Sequence, residues 1–435
     1  MFPTPSPFPS RLSPRLSPRL SPDSLAFALW QAARIHLAVL GGQSLADGQI
    51  GRVEAIARPA VQDLVYGSLR RYGRGDFLLG RLLDHPLAAE EIRCLLLVAL
   101  YRLETRPEAA HTVVDQAVRA AGELAGGRFR GLVNGVLRNY LRREPELLAA
   151  LAADPLASSQ HPDWWLEELQ RAYPQDWPSI VAAGNAPPPM ALRVNARRGS
   201  RDEYLERLCA EGIAARPLGE GALALDRPLP VERLPGFDEA WVSVQDPGAQ
   251  RAAELLDPAP GSRVLDACAA PGGKTAHLLE RADLDLLALD LKPSRCRRVA
   301  ANLERLGLTA TVRAADCARP ETWWDGQPFD AVLADAPCTA SGVVRRHPDA
   351  KWLRRAEDID RFAASQARIL DALWPLLRPG GKLLYATCSL FPAENGEQVE
   401  RFLARQPLAR RRHEEQLLPT AEHDGFYYCL VDKLA

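Results

Sequence analysis

Two cysteines follow apolar segments that are typical of buried strands. Cys338 comes after the segment 329–334 in the sequence Asp-Ala-Pro-Cys, and Cys388 comes after the segment 381–386 in the sequence Ala-Thr-Cys-Ser. A cysteine thiolate is a nucleophile that forms covalent intermediates. One cysteine alone usually fills space in a core. Two cysteines at strand ends, one of them beside an acid and a proline, predict a reactive pair instead.

Such a pair suits the methylation of a pyrimidine ring at carbon. C5 of cytosine is a poor nucleophile, but a thiolate that adds to C6 converts the ring into an enamine whose C5 can attack an electrophilic methyl group. A carboxyl group near N3 and N4 can stabilise the developing charge or supply a proton, and Asp335 begins the sequence that ends in Cys338. A base must then remove the C5 proton before the thiol is expelled.

A loop that contains two glycines adds a candidate ligand site. The predicted strand 263–267 runs into Asp-Ala-Cys-Ala-Ala-Pro-Gly-Gly-Lys-Thr at 266–275, where backbone can approach a ligand and a helix begins with free N–H groups. Asp290 ends the next strand, where a carboxylate can meet the ribose hydroxyls of a nucleoside. A P-loop is the competing interpretation. Cys268 replaces the first glycine of that motif, and Pro271 removes an amide that would bind phosphate.

Alternating strands and helices after Trp241 are expected to position these residues. This order predicts a mostly parallel, Rossmann-like α/β sheet with helices on both faces, over residues 239–435. In such sheets ligands bind at the carboxyl ends of the strands. The predicted strands are 263–267, 286–290, 311–314, 329–334 and 381–386.

The residues before this domain have other patterns. Apolar residues recur at helical spacing without strand signals over 23–148, which predicts an all-helical domain. A region rich in proline and tryptophan and then mixed signals predict a linker and a small α/β subdomain over 149–238. Residues 11–22 read Arg-Leu-Ser-Pro three times, and a proline at every fourth position excludes a helix or a sheet interior. A disordered tail is therefore predicted over 1–22.

The composition is that of a globular protein. The 435 residues are enough for two or three domains, and 47% are hydrophobic and 25% charged. No apolar run approaches the roughly 20 residues of a membrane span, and the N-terminus lacks the pattern of a signal peptide, so a cytoplasmic protein is expected. The eight cysteines form no Cys-x-x-Cys pair, which argues against a zinc site and a disulfide framework. No metal is expected.

Two arginine-rich stretches are candidates for nucleic-acid contact. The formal net charge of −1 does not indicate RNA binding, but RNA binding needs only a local basic patch. The candidate phosphate contacts are Arg128, Arg130, Arg138, Arg345, Arg346 and Lys351. The alternative is that both stretches form solvated basic helix faces. A target base must be drawn out of its stack with its flanking phosphates held, which favours RNA contact.

Three motifs together resemble those of a known family. The sequences at 266–275, 335–338 and 386–389 closely resemble, in order, the motifs of the RNA 5-methylcytosine methyltransferases of the NOL1/NOP2/Sun family. The resemblance extends from about His161 to the C-terminus. The sequence at 129–137 resembles the NusB-type RNA-binding domain. This combination resembles the bacterial members of the family that act on small-subunit rRNA.

The resemblance implies a role for each matching residue. Cys388 would attack C6, and Cys338 would assist the later release of the methylated RNA. Asp290 would hold the ribose of S-adenosylmethionine, Asp316 would contact its adenine, and Asp335 would touch the cytosine or the cofactor. The loop that would line the methionine part of the cofactor consists of Cys268, Ala269, Ala270, Pro271, Gly272, Gly273 and Lys274.

The resemblance also implies a substrate, C5 of one cytosine in 16S rRNA, at position 967. Neither DNA nor a membrane is an expected partner, and a monomer is the default. Two positions depart from the family pattern, Thr339-Ala340 after the Pro-Cys pair and Asp316 after two alanines. Two other functions stay open: an RNA-binding or antitermination factor without catalysis, and a DNA cytosine methyltransferase, which would attack from the Pro-Cys position at Cys338.

Overall fold

A computed structural model describes residues 18–219 and 221–435 of the chain. These residues divide into two compact units. The first contains the residues up to Arg171 together with Val344–Arg355, and the second contains Ala172–Val343 and Ala356–Ala435. Of the predicted disordered tail, residues 1–17 lie outside the described residues. Within the described residues 18–22, Leu20 packs against the core of the first unit.

Helices form the first unit, as the apolar spacing predicted. Ser24 caps the first helix by accepting a hydrogen bond from the N–H of Phe27. The fourth helix is apolar on nearly every face and is buried at the centre of the unit. The helices are α1 (Leu25–Leu40), α2 (Arg58–Arg70), α3 (Tyr72–Leu82), α4 (Glu90–Thr105), α5 (Ala110–Ala121), α6 (Arg130–Ala152), α7 (Pro155–Ser159) and α8 (Asp163–Ala172).

The inserted segment, Val344–Arg355, is anchored among these helices although it lies far along the chain from them. The carboxylate of Asp349 accepts hydrogen bonds from the Ser44 hydroxyl at 2.9 Å and the Leu45 N–H at 3.0 Å. The indole N–H of Trp352 donates to the Leu69 carbonyl at 2.8 Å. The inserted segment is therefore part of the fold of the first unit.

The burial of this segment corrects the predicted exposure of two cations. Arg345 and Lys351 were expected to guide RNA from the surface, but their exposed fractions are 2% and 0%. The ammonium group of Lys351 donates to the backbone carbonyls of Arg70 at 3.2 Å and Gln160 at 3.0 Å. Apolar packing of the segment places these side chains inside the unit, away from phosphate. Arg346 is half-buried.

Replacing Lys351 with methionine is expected to change how stability depends on pH. Burial, reinforced by the nearby Arg70 guanidinium, lowers the pKa of Lys351 to about 7. Because an unfolded lysine has a higher pKa, the unfolded chain binds more protons between roughly pH 7 and pH 10, and the stability contributed by this group rises with pH. Wild-type stability should therefore rise relative to Lys351→Met by up to about 1.4 kcal/mol per pH unit in this window.

Urea unfolding of both proteins at pH 7, 8 and 9 measures this difference in unfolding free energy. Lys292→Met, which removes an exposed lysine of the second unit, serves as the matched control and should follow the wild-type curve. Parallel pH curves for wild type and Lys351→Met would show that Lys351 remains charged in the folded protein.

A small antiparallel sheet opens the second unit, in agreement with the predicted α/β subdomain. Its strand order is β2-β3-β1-β4. Leu192, Tyr204 and Leu223 lie in its core. The elements are α9 (Trp177–Asn185), β1 (Met190–Val194), α10 (Arg201–Ala210), β2 (Ala215–Pro217), β3 (Ala222–Leu225) and β4 (Val242–Val244).

The larger sheet of this unit has seven strands in the order β10-β11-β9-β8-β5-β6-β7. Strands β5 to β9 are parallel and correspond to the five predicted strands, with bounds that differ at some ends, whereas β10 and β11 form an antiparallel hairpin beside β9. Apolar clusters cover both faces. The elements are α11 (Pro247–Leu256), β5 (Arg263–Asp266), α12 (Gly273–Arg281), β6 (Asp285–Asp290), α13 (Pro293–Leu306), β7 (Thr311–Ala314), β8 (Phe329–Asp335), α14 (Glu357–Leu373), β9 (Leu377–Thr387), α15 (Gly396–Arg405), β10 (Ala409–Leu417) and β11 (Phe426–Lys433).

No single helix among residues 18–219 and 221–435 is both long and apolar enough to cross a membrane. Leu25–Leu40 and Leu45–Arg52 reach the length and apolar composition of a span only when they are taken together, and the two segments are bent by 117° relative to each other.

Candidate active site

The carboxyl ends of four adjacent strands bring three predicted site residues together with Asp266, which was not predicted as a site residue. Asp266, Asp290 and Asp335 are the last residues of β5, β6 and β8, and Cys388 directly follows β9. These strands are neighbours in the order β9-β8-β5-β6. Because parallel strands end at one edge of the sheet, a single site can use all four side chains.

The two strand-end cysteines form a close thiol pair. The Sγ atoms of Cys338 and Cys388 lie 3.3 Å apart. Cys338 is buried, whereas Cys388 is partly exposed. The hydrogen bond with Cys388 and then burial raise the pKa of Cys338 well above its usual value, with a further contribution from the charge of Glu394. The pair therefore consists of a protonated inner thiol and a more accessible outer thiol.

A partly buried ion pair lies at the same edge of the sheet. The ammonium group of Lys274 is 2.7 Å from Oδ2 of Asp335. Burial opposes the positive charge of Lys274, but the charges of Asp335, Cys388 and Asp266 outweigh it and raise the lysine pKa. Lys274 is thus held in its charged form beside Asp335.

The glycine loop is tied to the end of β6. The carboxylate of Asp290 accepts hydrogen bonds from the N–H groups of Ala270 at 3.3 Å and Lys292 at 3.2 Å. Gly272 has a φ of +100° and precedes α12, and a Cβ at this position would lie 3.2 Å from the backbone of Val299. The positive φ and this close approach together favour the glycine that the motif supplies.

A second thiol pair and the predicted cofactor residue Asp316 lie near this loop. The Sγ atoms of Cys268 and Cys317 lie 3.8 Å apart. Asp316 follows β7, and its half-exposed carboxylate accepts a hydrogen bond from the Ala318 N–H at 3.0 Å. Leu291, directly after Asp290, is an exposed apolar side chain with an exposed fraction of 68%. An exposed apolar side chain directly after a strand-end carboxylate suits a nucleoside ligand.

The sequence interpretation missed several residues that hold the site in place. Asp266 is fully buried and accepts a hydrogen bond from the Thr275 hydroxyl at 2.6 Å. Burial raises its pKa to about 7. Arg193 of the small sheet donates to the carbonyl of Gly273 at 2.9 Å and forms a buried ion pair with Glu280 at 2.7 Å. The signal for Asp266 was its place in the glycine-loop motif, whereas the role of Arg193 depends on contacts between distant parts of the chain.

The predicted basic residues of the helical unit are accessible. Arg128, Arg130 and Arg138 are exposed, the first just before α6 and the other two on it. Leu132 on the same helix is also exposed, with an exposed fraction of 36%. All three arginines are therefore accessible to a negatively charged partner.

Family models match three parts of the chain. The model described as 16S rRNA methyltransferase RsmB/F matches residues 253–431. The ferredoxin-like domain of RsmF/B-like methyltransferases matches residues 161–232, and the NusB family matches residues 38–142.

Curated relatives match this chain over most of its length. Ribosomal RNA small subunit methyltransferase B of Pseudomonas putida is 46% identical over 426 residues, which cover 93% of this chain and 98% of the relative. The protein of the same name from Vibrio vulnificus is 47% identical over 387 residues, which cover 86% and 91%. A solved methyltransferase homolog from Pyrococcus horikoshii is 27% identical with a TM-score of 0.54, covering 63% of this chain and 100% of that structure. The chain belongs to the RsmB/F family of 16S rRNA methyltransferases.

Proposed function

We propose that this protein transfers a methyl group from S-adenosylmethionine to C5 of one cytosine in 16S rRNA, with Cys388 as the nucleophile. The observation that carries this proposal is the thiol pair, Cys338 and Cys388 with sulfurs 3.3 Å apart, beside the Lys274–Asp335 ion pair. The names of the curated relatives support small-subunit rRNA as the substrate. The resemblance to the 5-methylcytosine enzymes supports the cytosine at position 967 as the target.

The residues at the carboxyl ends of β5, β6 and β7 fit the cofactor. S-adenosylmethionine supplies an electrophilic methyl group when bound. The loop from Cys268 to Lys274 presents the free N–H groups of α12 and would line the methionine part. Asp290 would hold the ribose, and the partly exposed Asp316 would contact the adenine, with the exposed Leu291 as an apolar surface next to Asp290.

Covalent addition to the base begins at Cys388. Its thiolate forms a bond to C6, and the electron pair of the C5–C6 double bond makes C5 the nucleophile toward the methyl group. Asp335, which forms an ion pair with Lys274, binds the N3 and N4 edge of the cytosine and so orients the base. This arrangement divides one difficult substitution into two easier steps.

Release of the product requires the reverse of the first step. A base removes the C5 proton, the C5–C6 double bond forms again, and the bond between C6 and the Cys388 sulfur breaks. Cys338 is the protonated neighbour of the leaving sulfur and donates a hydrogen bond to it as negative charge returns. The inner thiol thus assists expulsion, and the outer thiol attacks.

A direct assay tests the proposed function. The protein is incubated with methyl-labelled S-adenosylmethionine and unmodified small-subunit rRNA, and the RNA is digested to nucleosides. We expect the label in 5-methylcytidine. Labelled RNA without labelled 5-methylcytidine would contradict the proposed chemistry, and cofactor binding without any labelling of rRNA would contradict the proposed substrate.

Exposed Arg128, Arg130 and Arg138 are the proposed phosphate contacts of the helical unit.

A further inference from the structure

Glu394 lies in a short turn after β9, and its side chain has an exposed fraction of 0%. Each carboxylate oxygen accepts two hydrogen bonds. Oε1 accepts from the N–H of Thr339 at 2.9 Å and from Nε2 of Gln366 at 3.1 Å. Oε2 accepts from the hydroxyl of Thr339 at 2.6 Å and from the hydroxyl of Ser389 at 2.5 Å. A buried carboxylate accepts hydrogen bonds only, so four convergent donors match it.

The donors of this network are the sequence neighbours of the two reactive cysteines. Thr339 directly follows Cys338, and Ser389 directly follows Cys388. One carboxylate therefore joins the two loops immediately beside the thiols. The Thr339 and Ser389 hydroxyls also contact each other at 3.2 Å.

Gln366 of α14 extends the network to the other side of Cys338. Its side-chain amide donates to the Pro337 carbonyl at 3.0 Å as well as to Glu394. The inner cysteine is thus held at the residue before it and the residue after it. Burial raises the pKa of Glu394, and hydrogen bonds from Ser389, Thr339 and Gln366 oppose this rise.

We infer that Glu394 is a positioning residue that fixes the Cys338 loop and the Cys388 loop against each other so that their thiols stay in contact. The inference rests on the proposed function for its catalytic meaning, but the geometry that it explains can be measured without RNA. Without the carboxylate, four donors lose their common acceptor inside the protein, and the two loops lose the group that joins them.

A trivalent arsenical measures the thiol geometry directly. Phenylarsine oxide forms two sulfur–arsenic bonds with a close pair of thiols, and the two thiol protons leave with the oxide oxygen as water. The described residues hold a second close pair, Cys268 and Cys317 at 3.8 Å, which serves as an internal control in the same molecule. Peptide mass spectrometry after a timed reaction reports how fast each pair is bridged.

Glu394→Ala is expected to slow bridging of the Cys338–Cys388 pair at least tenfold while bridging of the Cys268–Cys317 pair stays at the wild-type rate. Glu397→Ala removes an exposed acid from the next turn and should change neither rate. Glu394→Gln keeps the shape and one acceptor oxygen, and the two hydroxyls can turn to accept from its amide, so it should restore most of the bridging. Wild-type bridging of both pairs in Glu394→Ala would overturn the inference.

If Glu394→Ala does not fold, bridging of the control pair Cys268–Cys317 is also lost. Glu394→Asp is then tested in place of Glu394→Ala. The shorter side chain cannot reach both Thr339 and Ser389, so it should slow only the Cys338–Cys388 pair, and wild-type bridging would again overturn the inference. In the methyl-transfer reaction with rRNA, Glu394→Asp should lower kcat roughly 100-fold, while KM for RNA and for the cofactor stays nearly unchanged. The two claims can fail separately. If the wild-type protein is bridged by the arsenical at Cys338 and Cys388 but transfers no methyl group to rRNA, the proposed function is contradicted and the positioning role of Glu394 is not.

Discussion

Replacing Cys388 with alanine is expected to lower the rate of methyl transfer by a factor on the order of 10⁴ or more. Without the thiolate no bond to C6 forms, and C5 of cytosine stays too weak a nucleophile to accept the methyl group. Cofactor binding should persist, because the residues assigned to it lie at the ends of β5, β6 and β7, whereas Cys388 follows β9. Single-turnover methyl transfer to rRNA and equilibrium binding of the cofactor measure the two effects separately.

Cys209→Ala is the matched control for this experiment. Cys209 is an exposed cysteine of α10 in the small subdomain, and its replacement should leave the rate unchanged. Residual activity of Cys388→Ala within about tenfold of wild type would remove the nucleophile assignment. If Cys338→Ala lost all methyl transfer instead, the attack would come from the position that DNA cytosine methyltransferases use.

Replacing Cys338 with alanine is expected to trap the protein on its RNA. Addition through Cys388 and methyl transfer can still occur, but the protonated thiol 3.3 Å from the leaving sulfur is gone. The covalent adduct should therefore accumulate as a complex that survives denaturation and migrates slowly in a gel. The fraction of protein in this band, measured against time with unmodified rRNA and cofactor, should exceed the wild-type fraction by roughly tenfold or more.

The double variant Cys338→Ala, Cys388→Ala tests whether the trapped bond belongs to Cys388. It should give no denaturation-resistant band. If Cys338→Ala binds both the cofactor and the RNA but no adduct forms, Cys338 does not assist release.

The sequence patterns predicted the parts of the fold in which local pattern and tertiary structure agree. The five parallel strands are short apolar segments between helices, and all of them are found in the larger sheet. The structure places the proposed site residues Asp290, Asp335 and Cys388 at strand ends, as the sequence predicted, because a parallel sheet brings those ends to one edge. The apolar spacing of the N-terminal region likewise predicted its helices.

The C-terminal hairpin was not predicted because its first strand lacks a strand-like pattern. Strand β10 reads Ala-Arg-Arg-Arg-His-Glu-Glu-Gln-Leu and lies at the edge of the sheet, where charged side chains are solvated. Its partner β11 is buried between β10 and β9. Residues 409–417 form a strand because they pair with β11, and a local window of sequence does not show such pairing.

Two other features depend on contacts between residues that are far apart in sequence. Lys351 lies in a stretch with several positive charges, which is typical of an exposed segment. Trp352 and Asp349 nevertheless anchor this stretch among the helices of the first unit. Glu394 gave no signal of its own, since one acid after a strand is ordinary. The role inferred for Glu394 depends on its hydrogen bonds with Thr339, Gln366 and Ser389, which form only in the folded protein.

The measurement that tests the central claim most directly follows the atom that the methyl group replaces. Small-subunit rRNA that carries tritium at C5 of cytosine is incubated with the protein and carbon-labelled S-adenosylmethionine, and tritium released to water is counted against methyl groups gained by the RNA. Methylation at C5 through an adduct with Cys388 predicts one tritium released for each methyl group transferred, and neither event in Cys388→Ala. Methyl groups gained without release of tritium would place the modification on another atom and contradict the claim.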